Sequence, residues 1–266
     1  MSNTLITNTS TINLKPNINW LTVAEIVKIG FSRSPVVMAN EAHNGLLRCV
    51  RTRVVGQEII RAAHAAGCRT LAAEALNLNT DQNFDDAEVI NRTRQLPESP
   101  RGPYLKQPDM RQMLQVALDL GWTFERYEAD SKETTAVTES QGDWAGTNFR
   151  ERKQAENLVD ILSRHEKLLV WCGNGHHHKV ERNEWSPMGY QFRRISGIDP
   201  FCIDQNKTTE HYSDHKQWGP QMAERFRSEL VAKGGVAGYL SEKITDAELP
   251  KNGMDAHIFA LENKVE

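Results

Sequence analysis

The chain has 266 residues, enough for one sizeable α/β domain or two small ones. Apolar residues make up 39% and charged residues 25%, which excludes a disordered composition. A net charge of −3 argues against nucleic-acid binding, and no apolar run approaches the roughly 18–20 residues of a membrane span.

Met1 to about Asn19 is rich in Ser, Thr and Asn and reads as a mobile tail. It lacks the basic start and apolar core of a secretory signal, so a cytoplasmic protein is expected. Residues 20–266 are expected to form a single α/β domain. Thr22, with Glu25 three positions on, predicts a capped helix over Thr22–Ile29 that ends at Gly30. A strand follows at Val36–Ala39, then a helix at Arg48–Ala66 closed by Gly67, then a second strand at Thr70–Ala73. This strand–helix–strand order predicts two parallel strands, taken here as neighbours.

Leu76–Gln107 is the least regular stretch, with a short helix at Asp85–Arg94. It reads either as a functional loop or as an exposed insertion. Asp109 is the expected N-cap of a helix through Leu120, and Trp122–Tyr127 the third strand. Ser131–Gly146 is polar and reads as a loop. Arg150–Ser163 is an amphipathic helix in which Arg150, Gln154 and Asn157 share a face. Leu168–Cys172 is almost continuously apolar, as a central parallel strand requires. A strand at Phe201–Asp204, a helix at about Gly219–Lys233 and a strand at Ala256–Leu261 complete the series. Cys49, Cys68, Cys172 and Cys202 form no C-x-x-C pair and read as reduced, mostly buried thiols.

Three strands end directly on Glu or His. Val36–Ala39 leads into Asn40-Glu41-Ala42-His43, Thr70–Ala73 into Glu74, and Leu168–Cys172 into Gly173-Asn174-Gly175-His176. Ligands of open α/β sheets sit at the carboxyl ends of parallel strands, so these residues predict one polar pocket. His43, two residues past Glu41, suits a general base, and Glu41 or Glu74 suits its partner. Glu74 also has a purely structural reading, a buried carboxylate satisfied by Arg51 or Arg53. Arg150 is placed to pair with Glu41 or Glu74, or to grip a substrate carboxylate or carbonyl. Asn174, Asn157 and Arg53 are the candidate substrate contacts. His177 and His178 read as surface residues of a basic loop with Lys179 and Arg182, and His211 and His215 as exposed. No G-x-S-x-G, H-E-x-x-H, Walker or dinucleotide motif is present.

Asn40-Glu41-Ala42-His43 resembles the Gly-Glu-x-(x)-His opening of the erythromycin-esterase-like and ChaN/Tiki-like superfamily. Gly67 through Glu74 resembles its second element. Arg150-Glu151-x-x-Gln154-Ala155-x-Asn157 is similar to the esterase-like Arg-Asp-x-x-Met-Ala-x-Asn. Val170–His176 resembles the Trp-Ala-His-Asn-x-His of that branch, and Gly-Asn-Gly-His of ChaN proteins more closely. Met188-Gly189 ahead of Phe201–Asp204 keeps the same order. The resemblance spans about Val36 to Asp204, leaving 205–266 as a C-terminal extension. It implies a mainly parallel α/β sheet flanked by helices, with the Glu and His residues in one cleft. The esterase-like branch implies His43 as the base that activates water, surrounded by Glu41, Glu74, Arg150 and His176. The Tiki-like branch implies metal-dependent peptide cleavage, with Glu41, His43, Glu74 and His176 as candidate ligands of a divalent metal. The ChaN branch implies haem bound through a Tyr, for which Tyr104, Tyr127 and Tyr190 are candidates. Asn40 and Gly173 depart from the pattern, and the large helical insert of macrolide esterases is missing.

The expectation is therefore a hydrolase-like enzyme acting on an ester, lactone or amide of a small molecule or peptide. The alternatives are a haem- or metal-binding protein without turnover, and a tailoring enzyme for a peptide or natural product. No feature of the sequence assigns an oligomeric state.

Overall fold

The computed structural model describes residues 18–41, 46–76, 78–79, 84–98, 103–173, 175–205, 223–244 and 253–261. The strands are β1 (Val36–Glu41), β2 (Thr70–Ala73), β3 (Leu78–Asn79), β4 (Phe84–Asp85), β5 (Thr123–Glu125), β6 (Leu168–Gly173), β7 (Phe201–Asp204), β8 (Val236–Leu240) and β9 (Ala256–Ala260). The helices are α1 (Val23–Arg33), α2 (Leu46–Ala65), α3 (Asp86–Thr93), α4 (Pro108–Asp119), α5 (Ser131–Gln141), α6 (Asp143–Arg164), α7 (Met188–Ser196) and α8 (Arg227–Ala232).

A seven-stranded sheet runs in the order β5-β2-β6-β1-β7-β9-β8, parallel except for β8. The fold is α/β with a mainly parallel sheet, as expected. Alternation along each strand builds a core on both faces. Val37, Ala39, Leu71, Ala73, Leu169 and Trp171 pack against α1, α2 and α4. Val36, Met38, Ala72, Leu168, Val170 and Cys172 pack against α6 and α7. No helix among the described residues is long and apolar enough to cross a membrane.

Several expectations need correction. β6 lies between β1 and β2, so those two strands are not neighbours. The Thr22/Glu25 capping box is present, but α1 runs through Gly30 to Arg33. Gly30 is a contact residue rather than a terminator, since a Cβ there would lie 2.8 Å from the Phe201 ring. Gln107, not Asp109, caps α4, and Pro108 begins it, where its missing N–H costs no helical bond. The third strand is shorter than expected, at Thr123–Glu125. Ser131–Gly146 is not a loop. Asp130 accepts from the Lys132 and Glu133 amides and starts α5, and Gly142, at φ 93°, breaks the chain into α6. β8 was not anticipated. The tail is shorter than expected, because Ile18 is already buried in the cluster around Phe226 and Phe259.

Candidate functional site

The parallel register sets the site. Glu41 is paired with Gly173, and Ala73 with Trp171, so Glu41, Glu74 and the turn after β6 share one end of the sheet. Two carboxylates there are each held by a guanidinium from a different helix. Arg53 of α2 donates Nε and Nη2 to Glu41, both at 2.7 Å. The Trp171 indole donates to the same carboxylate at 2.8 Å. Asp109, at 2.8 Å, and Gln107 engage Arg53 Nη1. Burial alone would lower the Arg53 pKa, but the hydrogen-bonded carboxylates of Glu41 and Asp109 outweigh it and raise it.

Glu74 accepts from Arg150 Nη2 at 2.9 Å and from the Gly173 amide. Arg150 is thus a structural partner of Glu74, while Arg53 is engaged by Glu41. Arg150 also binds Glu128 through Nε, at 2.9 Å, and Nη2, and Gln154 donates to Glu128 at 3.0 Å. Burial disfavours the Arg150 charge, but Glu128 and Glu74 more than restore it. The Arg150 side chain is one-third exposed.

Successive helical residues point about 100° apart, so Glu151 leaves α6 in another direction from Arg150. It is buried and lies 2.8 Å from His176 Nδ1. His176 Nε2 lies 3.8 Å from Glu74. Burial pulls the His176 pKa down, but the charges of Glu151 and Glu74 outweigh it and hold it above the ordinary value. The arrangement sets a guanidinium and an imidazole around the buried Glu74 carboxylate, the first as a hydrogen-bond donor and the second as a group able to exchange a proton.

Other expected residues fall elsewhere. Asn157 donates to the Tyr127 carbonyl at 2.9 Å and lines a polar groove of about 430 Å³ at the edge of β5, with Asn91 and Arg126. Arg53 is wholly buried beneath Glu41. His43 and Asn174 lie outside the described residues, as do His211 and His215. His177 and His178 are buried, contrary to the surface reading. Cys172 is buried, and burial pushes its thiol well up, as suits an inert core residue. Glu128 and Glu151 were missed as site residues. The pairing of Arg150 with Glu151 in the α6 motif was the available signal for Glu151. Glu128 sits in a short polar run after β5 that carries none.

Among the described residues, no three His, Cys, Asp or Glu side chains converge as a metal site. Glu41 and Glu74 are already neutralised by Arg53 and Arg150, so these side chains do not fit a divalent metal. For haem, Tyr127 is unsuitable, since it is fully buried with its hydroxyl on the Trp171 carbonyl at 3.1 Å. Tyr104 sits beside the cluster. Burial and the carboxylates of Glu74 and Glu41 push its phenol up to about 12, which opposes phenolate ligation.

No family model matches the chain, and no curated protein matches it. Among solved structures it is similar to ChaN of Campylobacter jejuni, a structure described as showing cofacial haem binding. That likeness has 11% identity and a TM-score of 0.53, over 89% of this chain and 91% of that one. It is also similar to RRSP, a MARTX toxin effector domain from Vibrio vulnificus CMCP6, at 15% identity and a TM-score of 0.46, over 70% of this chain and 36% of that one. The type III effector HopBA1 matches at 13% identity and a TM-score of 0.41, over 74% of this chain and 89% of that one. The chain thus has the ChaN-like fold, in line with the sequence resemblance.

Proposed function

We propose that the protein is an enzyme that uses the charged cluster at the strand ends for proton transfer, and that it hydrolyses an ester, lactone or amide of a small-molecule or peptide substrate in the cytoplasm. The observation that carries this reading is the set Glu74, Arg150 and His176, where a buried carboxylate faces a guanidinium and an imidazole at the carboxyl ends of β2 and β6. In the proposed reaction, His43, two residues past Glu41, takes a proton from water, and the water oxygen attacks the carbonyl carbon. Arg150 and Nε2–H of His176 stabilise the oxyanion, an effect that contributes about 3 kcal/mol per donor in comparable sites. Collapse expels the alcohol or amine, which takes its proton from His176.

The test is a panel of chromogenic esters, lactones and anilides with wild type, His176→Ala, His43→Ala and Glu74→Gln. Each variant is expected to lose about 10²–10⁴-fold in kcat. The unfolding midpoint of the His43 variant should stay close to wild type. Wild-type turnover in His43→Ala or in His176→Ala would end the reading.

A second reading is haem binding, favoured by the fold shared with the haem-binding ChaN structure. The raised phenol of Tyr104 does not fit it. Were the panel to yield no turnover while haemin titration gave a Soret band lost in Tyr104→Phe, this reading would replace the first.

A further inference from the structure

Glu151 lies almost wholly inside the protein, on a helix whose other side is solvated. A carboxylate in that position is costly unless its oxygens are occupied by donors. Three donors reach it, all from the segment after β6. Oε1 receives His176 Nδ1 at 2.8 Å and Trp185 Nε1 at 3.0 Å, and Oε2 receives the Met188 amide at 2.7 Å. The last of these is the first residue of α7, so one carboxylate ties the 175–188 segment to α6. Of the three donors, only His176 can carry a charge.

An imidazole has two chemically distinct nitrogens, and the partner of one decides the role of the other. With Nδ1 facing Glu151, Nε2 is the nitrogen turned toward Glu74. We infer that Glu151 is the positioning residue of this site: it fixes the Nδ1–H tautomer of His176 and leaves Nε2 as the nitrogen that exchanges protons. The inference rests on the proposed proton-transfer function only for what Nε2 then does. Among the described residues, the other charged or titratable groups acting on His176 are Glu74 after β2, Arg150 of α6 and the adjacent His177.

The test uses the full-length ¹⁵N-labelled protein and long-range ¹H–¹⁵N imidazole spectra, with the His176 signals assigned by their loss in His176→Gln. In wild type above the His176 titration, the proton is expected on Nδ1 and the lone pair on Nε2. In Glu151→Gln, which can still accept a hydrogen bond but carries no charge, the titration midpoint should fall by about 1–3 units. Glu151→Asp should restore part of that shift. A proton on Nε2 with bare Nδ1 in wild type would overturn the inference, as would a midpoint unchanged in Glu151→Gln. If Glu151→Gln failed to fold, the wild-type tautomer would decide the matter alone. The spectra need no substrate. An Nδ1-protonated ring in a protein without turnover would remove the proposed function and keep the assignment, and an Nε2-protonated ring in an active enzyme would do the reverse.

Discussion

Neither ring nitrogen of His177 makes a hydrogen bond of ordinary geometry, and the side chain is fully buried beside Asp204, His176 and His257. Burial holds its pKa down at about 4, so the folded protein keeps it neutral. The unfolded chain takes up that proton near pH 6.5. A depressed folded-state pKa gives stability that is complete above the unfolded value and is lost as pH falls to the folded one. The difference is worth about 3 kcal/mol, lost between roughly pH 6.5 and 4. Urea unfolding across that range should show this acid limb in wild type and a flatter one in His177→Phe, and equal slopes would contradict it. Asp204 acts with the same sign. Its carboxylate is burdened by burial yet held below the ordinary range, chiefly by His257 and also by Asn40, both of which the variant retains. Three consecutive histidines beside Lys179 and Arg182 look like an exposed basic loop in a sequence. What buries them is tertiary: α7 packs onto the His177 carbonyl so closely that a Cβ on Gly189 would lie 2.5 Å from it. By contrast, the Arg150–Glu74 pairing was legible as one of several alternatives, although Arg150 lies two turns inside α6, which begins at Asp143 rather than at the expected Arg150.

α5 shows where element prediction fails and why. Its residues Ser131–Gln141 include none that is buried, so no apolar stripe announces a helix. It is held by its Asp130 cap and by packing on α6, where Gly146 takes the Thr138 side chain so closely that a Cβ would lie 1.8 Å from Oγ1. Gly146→Ala should therefore cost about 1–3 kcal/mol, the usual range for overpacking. It should also open the 131–142 segment to limited proteolysis. Adding Thr138→Ala should recover most of the loss in a double-mutant cycle. Additive effects would show that the two residues do not meet. The strands were far more legible, since β1, β2, β6 and β7 are short apolar runs buried along their whole length. β8 escaped because Gly238 interrupts its pattern. That glycine is required by the Leu21 bridge and by the His257 carbonyl, which a Cβ there would approach to 2.2 Å.

At the scale of the whole molecule, Leu21 and the strands β8 and β9 meet at one edge of the sheet. From the sequence, residues 205–266 read as an extension of a 36–204 core. In the fold, β9 pairs with β7, β8 closes the sheet beyond it, and Leu21 exchanges both backbone hydrogen bonds with Gly238 at 2.8 Å. Removing these strands would leave β7 as a bare edge and uncover the α1 residue Ile26, whose methyl group a Cβ on Gly238 would approach to 2.5 Å. It would also remove Tyr239, Leu240, Ile258 and Phe259, all buried. Burial of four such side chains contributes on the order of 6–12 kcal/mol. A domain of this kind has a net stability of only about 5–15 kcal/mol, so the loss is comparable to the whole. A chain ending at Gln205 should thus show no cooperative urea transition by circular dichroism, while the full chain shows one. A cooperative transition within about 2 kcal/mol of the full chain would mean that the sheet is complete at β7, since a change that small is within the reach of single substitutions. The charged site depends on this support. β1, which carries Glu41, is hydrogen-bonded to β7 on one side and to β6 on the other, and unravelling from β7 would loosen the strand whose register with Gly173 brings the carboxylates together.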